Sequence, residues 1–287
     1  MKSLLDRRTL LKGAAALGGL ALLPSGLLAA IAGPETVEVD ATPARKATLS
    51  IWRPAGTPHG VLLFSTGHGS WPERYEAMIG GMVADGYAVI APLHVDSMHY
   101  ADREKFDSRT GFFARIEDMK AASAHAAKAF PGVPVAAMGH SYGSLIGLGM
   151  GGALANLLPL RDPSVTAVLA FSSPGLIPGV VRPGAWASLA VPAMLITGTN
   201  DLVEGFVTNP ADHLQPIEQS PAGDKYALVI KDAGHGLVGE PDTSAYKRAR
   251  MAASLFLGAY VPPKKSFRTA LELMPVAPGD RFLVRKA

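Results

Sequence analysis

The 287-residue sequence contains no cysteine, and only 18% of its residues are charged and 7% aromatic. Without cysteine there is no disulfide, no thiolate metal site, no iron–sulfur cluster and no cysteine nucleophile. Hydrophobic residues make up 48% of the sequence. The chain is therefore too apolar to be disordered, and it can bury one large core or two modest ones. The composition therefore favours a globular protein whose chemistry uses oxygen and nitrogen groups.

Excess positive charge is also scarce in most of the chain. The formal net charge is +3, but residues 1–32 hold four basic residues and one acidic residue and so carry the whole surplus. Residues 262–287 hold six basic and two acidic residues, which leaves residues 33–261 mildly acidic. A basic groove for a phosphate backbone is not indicated, and we expect no nucleic-acid partner.

The first 32 residues have the layout of an export signal. Residues 6–12 read Asp-Arg-Arg-Thr-Leu-Leu-Lys and precede a run rich in Ala, Gly and Leu that ends at Ala32, which is typical of a secretory signal peptide. The arginine pair resembles the bacterial twin-arginine signal, which implies export by the Tat translocation machinery to the periplasm or the medium. We expect cleavage after Ala32 and no stable membrane association afterwards. The alternative is an uncleaved anchor, since about 20 apolar residues span a bilayer.

Strands and helices alternate along the rest of the chain. Eight segments have the alternating or continuous apolar pattern of strands: residues 37–40, 48–52, 61–64, 88–91, 135–138, 165–171, 193–196 and 226–230. Four segments are predicted as helices: residues 75–85, 115–130, 141–154 and 243–257. This alternation predicts an α/β fold with a mostly parallel central sheet and helices on both faces. We expect one catalytic domain at residues 33–261 and a basic, proline-containing tail at 262–287.

A serine between two glycines follows the strand predicted at residues 135–138. Residues 139–143 read Gly-His-Ser-Tyr-Gly and open the next predicted helix. A strand-to-helix turn this tight strains the backbone of Ser141 and raises its hydroxyl above the sheet at a helix N-terminus. The alternative is a serine that only caps a structural helix. The motif resembles the nucleophile elbow of the α/β-hydrolase superfamily, which implies that fold and a nucleophilic role for Ser141.

The same resemblance implies an acid and then a histidine later in the chain. His235 follows the strand predicted at residues 226–230 within Asp-Ala-Gly-His-Gly, and is the expected general base. Asp201 follows the strand predicted at residues 193–196 and is the expected acid, which orients the imidazole and stabilises the imidazolium. Three other acids remain as alternatives, the first of them the strongest: Glu204, Asp224 and Asp232.

Acyl transfer also needs two backbone N–H groups that stabilise the oxyanion. The N–H of Tyr142, directly after the nucleophile, is one candidate. Residues 65–71 read Ser-Thr-Gly-His-Gly-Ser-Trp and resemble the Ser-His-Gly-x-Gly loop of dienelactone-hydrolase-like and platelet-activating-factor-acetylhydrolase-like esterases. That resemblance implies the N–H of His68 as the second donor, although Thr66 replaces the loop's histidine. Residues 91–94, Ala-Pro-Leu-His, resemble the Ala-Pro-Asp-His segment of the same group, with Leu93 in place of the acid.

The connecting segments predict an open cleft with a small lid or none. Residues 172–190 are too few for a large helical lid, and residues 94–113 are long enough to overhang the site. Five residues are expected at the rim: Trp71, His94, Trp186, Leu202 and Phe206. The expected activity is that of a serine carboxylic-ester hydrolase without a cofactor, acting on short acyl or accessible polymeric esters. A peptidase or amidase of the same fold and a non-catalytic binding protein are the alternatives.

Several histidines are candidate metal ligands. His94, Asp96 and His99 are close in sequence, and His68 is a further candidate, but their spacing matches no zinc signature. No metal is therefore expected. Two other histidines are expected to be structural or surface residues: His125 and His213.

Overall fold

In the computed structural model, which describes residues 33–177 and 180–286, nine strands form a single sheet. They are β1 (Glu35–Thr42), β2 (Arg45–Trp52), β3 (Gly60–Ser65), β4 (Tyr87–Pro92), β5 (Val135–His140), β6 (Val165–Phe171), β7 (Ala193–Asn200), β8 (Lys225–Gly234) and β9 (Arg281–Arg285). Their order across the sheet is β1-β2-β4-β3-β5-β6-β7-β8-β9. The predicted signal segment at residues 1–32 lies outside the described residues.

Six neighbouring strands, β4 to β8 in sheet order, run parallel. The antiparallel strands β1 and β2 extend one side of this core and β9 extends the other. Every residue of β3, β4 and β5 is buried, as expected for strands covered on both faces. The predicted sheet is confirmed.

Six helices accompany the sheet in the described ranges: α1 (Glu76–Ala84), α2 (Ser108–Ala129), α3 (Tyr142–Met150), α4 (Gln215–Glu218), α5 (Ser244–Tyr260) and α6 (Lys265–Glu272). The helices α2 and α3 share one apolar core with the sheet, whereas α1 and α5 contact each other on the other face. None of the described helices is both long and apolar enough to cross a bilayer.

The helix α2 begins seven residues before the predicted start at residue 115. Asp107 accepts hydrogen bonds from the N–H groups of Arg109 and Thr110, and the Thr110 hydroxyl accepts from the Asp107 N–H. This reciprocal capping satisfies N–H groups that a helix start otherwise leaves free. The first turns of α2 therefore lie within the segment that was predicted to overhang the site.

The segment after residue 261 also differs from the prediction. We expected a tail outside the catalytic domain, but α6 packs on α5, and β9 pairs with β8 from Lys225 to Val229. The Arg285 guanidinium donates to the backbone carbonyls of Glu218 and Ser220 at 2.6 Å. The described residues from Gly33 onward form one compact unit. Within it, β9 covers an edge of the sheet that would otherwise expose unpaired backbone groups.

Candidate active site

Four loops that were predicted to carry the chemistry meet at one edge of the sheet. The strands β3, β5, β7 and β8 end at Ser65, His140, Asn200 and Gly234. Because these strands run parallel across the centre of the sheet, their carboxyl ends lie at the same edge. The segment after β3 carries His68, and the residues directly after the other three strands are the predicted triad.

Ser141 occupies the turn between β5 and α3 with φ 53° and ψ −123°, a left-handed conformation that strains a residue with a side chain. Its hydroxyl makes no capping hydrogen bond to the helix, so the structure does not support a helix-capping role. A Cβ at Gly139 would overlap the backbone of Gly143, and one at Gly143 would overlap the carbonyl of Ser65. Both glycines are therefore required by the turn.

Asp201 and His235 are joined by a hydrogen bond. The His235 Nδ1 lies 2.8 Å from Asp201 Oδ1, and the Thr197 hydroxyl donates to Oδ2 at 2.7 Å. Asp201 is fully buried, but its carboxylate is surrounded by hydrogen-bond donors. Burial alone would raise the pKa of Asp201, but hydrogen bonds from His213 and His235 outweigh it and hold that pKa well below its ordinary value.

The other candidate acids lie elsewhere. Glu204 and Asp232 are exposed, and Asp224 pairs with Arg268. Ser141 and His235 line the same cleft, although no hydrogen bond joins the Ser141 hydroxyl to the imidazole in the described part of the chain. Such contacts commonly shorten when a substrate binds.

His213 was predicted to be a structural or surface residue, and the structure buries it behind the acid. Its Nε2 lies 2.9 Å from the Asp201 carbonyl oxygen and 3.1 Å from Oδ1, and its Nδ1 contacts the carbonyl of Ser173. Both ring nitrogens face acceptors, which favours the protonated ring. Burial would lower the pKa of His213, but Asp201 outweighs it and raises that pKa. A 3-10 helix, Pro210–Leu214, returns the chain to Asp201, a non-local contact without a sequence signal.

The two predicted oxyanion donors are both at the cleft. A Cβ built on Gly67 would lie 3.6 Å from the Cβ of Ser141, so the loop after β3 passes directly beside the nucleophile. His68 and Tyr142 line the cleft. Tyr142 is the first residue of α3, where the N–H has no partner within the helix.

A chain of hydrogen bonds joins three of these loops through Tyr75 and His140. The Gly67 N–H donates to the Tyr75 oxygen, the Tyr75 hydroxyl donates to His140 Nδ1, and His140 Nε2 donates to the His235 carbonyl, each at 3.0 Å. This arrangement needs a neutral His140. Burial, followed by the nearby His235, lowers the pKa of His140 to about 3.

We expect His140→Gln to reduce the acid sensitivity of the fold. An unfolded histidine takes up a proton near pH 6.5, whereas native His140 resists protonation until about pH 3. Between these pH values the unfolded state binds the extra proton. The unfolding free energy therefore decreases as the pH is lowered, by up to about 1.4 kcal/mol per pH unit. Glutamine keeps an acceptor and a donor but does not titrate.

The measurement is the unfolding free energy from urea titrations between pH 7 and pH 3.5, compared between the two proteins. His59→Gln, at an exposed histidine, is the matched control and is expected to follow the unsubstituted protein. Parallel curves for the His140→Gln and unsubstituted proteins would contradict the prediction.

No protein-family model and no curated protein sequence matches this chain, but solved structures do. It is similar to the dienelactone hydrolase of Anabaena variabilis (TM-score 0.57, 21% identity, 79% of this chain and 99% of that one). It is also similar to a soluble variant of monoglyceride lipase from Saccharomyces cerevisiae (TM-score 0.62, 12% identity, 80% of this chain and 96% of that one). The chain has the α/β-hydrolase fold. A puromycin-hydrolyzing peptidase from Mycobacterium tuberculosis is similar too (TM-score 0.61, 16% identity), and this chain spans 40% of its length.

The α/β-hydrolase fold here carries an open cleft of about 1660 Å³ above Ser141. Its walls come from the start of α2 and from the segments after α3, β6 and β7. They are lined by many apolar side chains, among them Phe112, Phe113, Leu157, Leu158, Val203, Phe206 and Val207. Sequence reasoning missed all of these except Phe206, because the walls come from segments far apart in the chain.

The prediction that His94 and Trp186 lie at the rim of the cleft is wrong. His94 is fully buried between Ser65 Oγ and Asp118 Oδ2, each 2.9 Å from its ring. Trp186 is fully buried in the apolar core. Position after a strand places a residue near this edge of the fold but does not fix the direction of its side chain.

Two further rim residues lie outside the cleft walls. Trp71 stacks on His99, with ring centroids 4.0 Å apart, and Leu202 is exposed while its neighbour Val203 lines the cleft.

No three His, Asp or Glu side chains in the described ranges could together hold a metal ion. Asp96 instead pairs with Arg115.

Proposed function

We propose that this chain is an exported serine hydrolase that cleaves carboxylic esters through an acyl-enzyme on Ser141. The observation that carries the proposal is the 2.8 Å contact between His235 Nδ1 and Asp201 Oδ1 at a cleft lined by Ser141. Because Asp201 accepts the proton on Nδ1, Nε2 of His235 remains free to accept one. That tautomer is the one that a general base needs.

In the proposed reaction, His235 takes the proton of Ser141 as Oγ attacks the ester carbonyl. Negative charge then develops on the carbonyl oxygen, where the N–H groups of His68 and Tyr142 stabilise it. The imidazolium returns the proton to the leaving alkoxide, and an acyl-enzyme remains. Water, deprotonated by the same histidine, attacks this intermediate. The acid then leaves, and the imidazolium returns the proton to Ser141 Oγ. Neither step requires a cofactor.

The cleft supports short acyl or accessible polymeric esters as substrates. Its volume of about 1660 Å³ exceeds the roughly 300–1,000 Å³ of ordinary ligand pockets, and its walls are rich in apolar side chains. The described residues between β6 and β7 form turns rather than a helical insertion. An accessible polymeric ester, or an ester with a short acyl group, therefore has open access to Ser141.

Export is proposed from the sequence of residues 1–32 alone. The arginine pair at Arg7 and Arg8 supports transport by the Tat machinery, with release into the periplasm or the medium. N-terminal sequencing of the exported protein is expected to begin at Gly33. A protein in the membrane fraction that still begins at Met1 would contradict this.

The purified protein is expected to hydrolyse p-nitrophenyl esters and to be labelled on Ser141 by a fluorophosphonate, as located by peptide mass spectrometry. Matched p-nitroanilides test the peptidase or amidase alternative and are expected to react more slowly. A folded protein that neither turns over esters nor takes up the label would overturn the proposal in favour of a non-catalytic binding protein.

A further inference from the structure

Arg115, in α2, is a buried cation without a role in the steps above. Its side chain is fully buried, where an unpaired charge is costly. Nε and Nη2 donate to the two carboxylate oxygens of Asp96 at 2.7 and 2.8 Å. The remaining N–H groups reach Thr66 O at 2.6 Å, Gly67 O at 3.0 Å and Ser65 Oγ at 3.3 Å. All five guanidinium donors are thus used, which fixes the orientation of the group.

These bonds determine how the peptide between Gly67 and His68 is oriented. In a planar trans peptide the C=O of Gly67 and the N–H of His68 point in opposite directions. Arg115 holds the carbonyl on the buried side of the loop, so the N–H faces the other side. Gly67 and His68 both line the cleft, and Gly67 lies beside Ser141. A flipped peptide would lose the bond from Arg115 and present a carbonyl oxygen to the developing oxyanion.

Asp96 holds the following part of the same loop. Its Oδ2 accepts from the Gly69 N–H at 3.0 Å and lies 3.0 Å from His68 Nδ1. Burial would raise the pKa of Asp96, but hydrogen bonds from His68 and Arg115 outweigh it and hold that pKa well below its ordinary value. The carboxylate is therefore ionised and balances the guanidinium charge.

Arg115 also contacts the second proposed donor. Its guanidinium carbon lies 4.6 Å from the ring centroid of Tyr142, a distance at which a cation is attracted to an aromatic face. One side chain therefore contacts the backbone of the loop that holds His68 and the aromatic ring of Tyr142, the two residues whose N–H groups are proposed to bind the oxyanion.

We propose that Arg115, oriented by Asp96, is a positioning residue that preorganises the oxyanion hole by setting the direction of the His68 N–H. The inference rests on the proposed function, since an oxyanion forms only if Ser141 attacks an acyl group. A purely structural Arg115 would affect the amount of folded protein and leave the turnover of each folded molecule unchanged.

Arg115→Lys tests this, because lysine keeps the charge but has no planar fork to hold Asp96 and two carbonyls together. We expect kcat to fall about 100-fold, similar to the loss of one oxyanion donor. KM is expected to change less than about threefold, because the lost interaction forms in the transition state. The affinity for an arylboronic acid, whose tetrahedral adduct with Ser141 directs an oxygen toward the hole, is expected to fall in parallel with kcat. A non-covalent aryl ether inhibitor is expected to bind as before.

Arg45→Lys is the matched control. Arg45 also donates to a backbone carbonyl, that of Ala114, and pairs with Asp118 and Glu117, but it does not contact the loop after β3. We expect its kcat to stay within about threefold of the unsubstituted protein.

Asp96→Asn is the second variant, since it retains the size of the side chain while removing the charge that orients Arg115. It is expected to lower kcat with little change in KM. If either folded variant retains kcat and boronic-acid affinity within about threefold, the positioning role is overturned. Failure of the proposed function is distinguishable, because the unsubstituted protein would then neither hydrolyse esters nor take up the fluorophosphonate.

Discussion

Ser141→Ala is expected to reduce kcat about a million-fold while the protein melts within a few degrees of the unsubstituted chain. The hydroxyl is the proposed nucleophile, and without it no acyl-enzyme forms. The fold is expected to survive because the Ser141 hydroxyl makes no capping bond to α3 and alanine keeps the same Cβ. Steady-state ester hydrolysis and thermal unfolding followed by circular dichroism measure the two quantities.

Ser144→Ala is the matched control, three residues further along the chain in α3. Ser144 is buried and its hydroxyl donates to the Ser141 carbonyl at 2.7 Å. Its loss is expected to cost about 1 kcal/mol of stability and to leave most of the activity. The two variants thus separate activity from stability. An active Ser141→Ala protein would show that another group is the nucleophile.

Asp201→Asn is expected to lower kcat about 10⁴-fold. The carboxylate receives hydrogen bonds from His235 and Thr197, and His213 lies 3.1 Å from Oδ1. An amide has one acceptor oxygen and one NH₂ group, so either its NH₂ or its uncharged oxygen replaces the carboxylate oxygen that faces His235. An uncharged oxygen no longer stabilises the imidazolium. If the NH₂ faces His235, the imidazole adopts the tautomer with its proton on Nε2 and no longer accepts the proton of Ser141.

The measurement is kcat and KM for ester hydrolysis as a function of pH for the Asp201→Asn protein, with Asp232→Asn as the control. Asp232 is exposed and has φ 60°, a backbone conformation that asparagine tolerates well. We expect the control to retain full activity. A larger loss in Glu204→Gln than in Asp201→Asn would assign the acid to Glu204 instead.

Most of the sheet was predictable because its strands are local apolar runs that end in recognisable turns. The strand β9 was not predicted, because the pattern at Arg281–Arg285 is short and its pairing with β8 is a contact between distant parts of the chain. The start of α2 was missed since residues 108–114 lack a clear apolar period. Its signal was the pair Asp107 and Thr110, three residues apart.

The proposed triad lay within reach of sequence reasoning because each member directly follows a strand. The surroundings of the triad were not, since Arg115, Asp96 and His213 act through contacts between separate elements. For His94 the sequence instead predicted a place at the site that the structure does not bear out. Its position after β4 suggested the rim, but its ring turns inward to Asp118. Sequence position gives the edge of the sheet, and packing decides which side chains reach the cleft.

The backbone conformation of Ser141 has a cost in stability. A residue with a side chain held at such dihedral angles costs of order 1–3 kcal/mol, whereas glycine adopts positive φ freely. Because the hydroxyl caps no helix N–H, the turn itself gains nothing from a serine at φ 53°. The strain is therefore stability that the fold gives up for the hydroxyl of the proposed nucleophile.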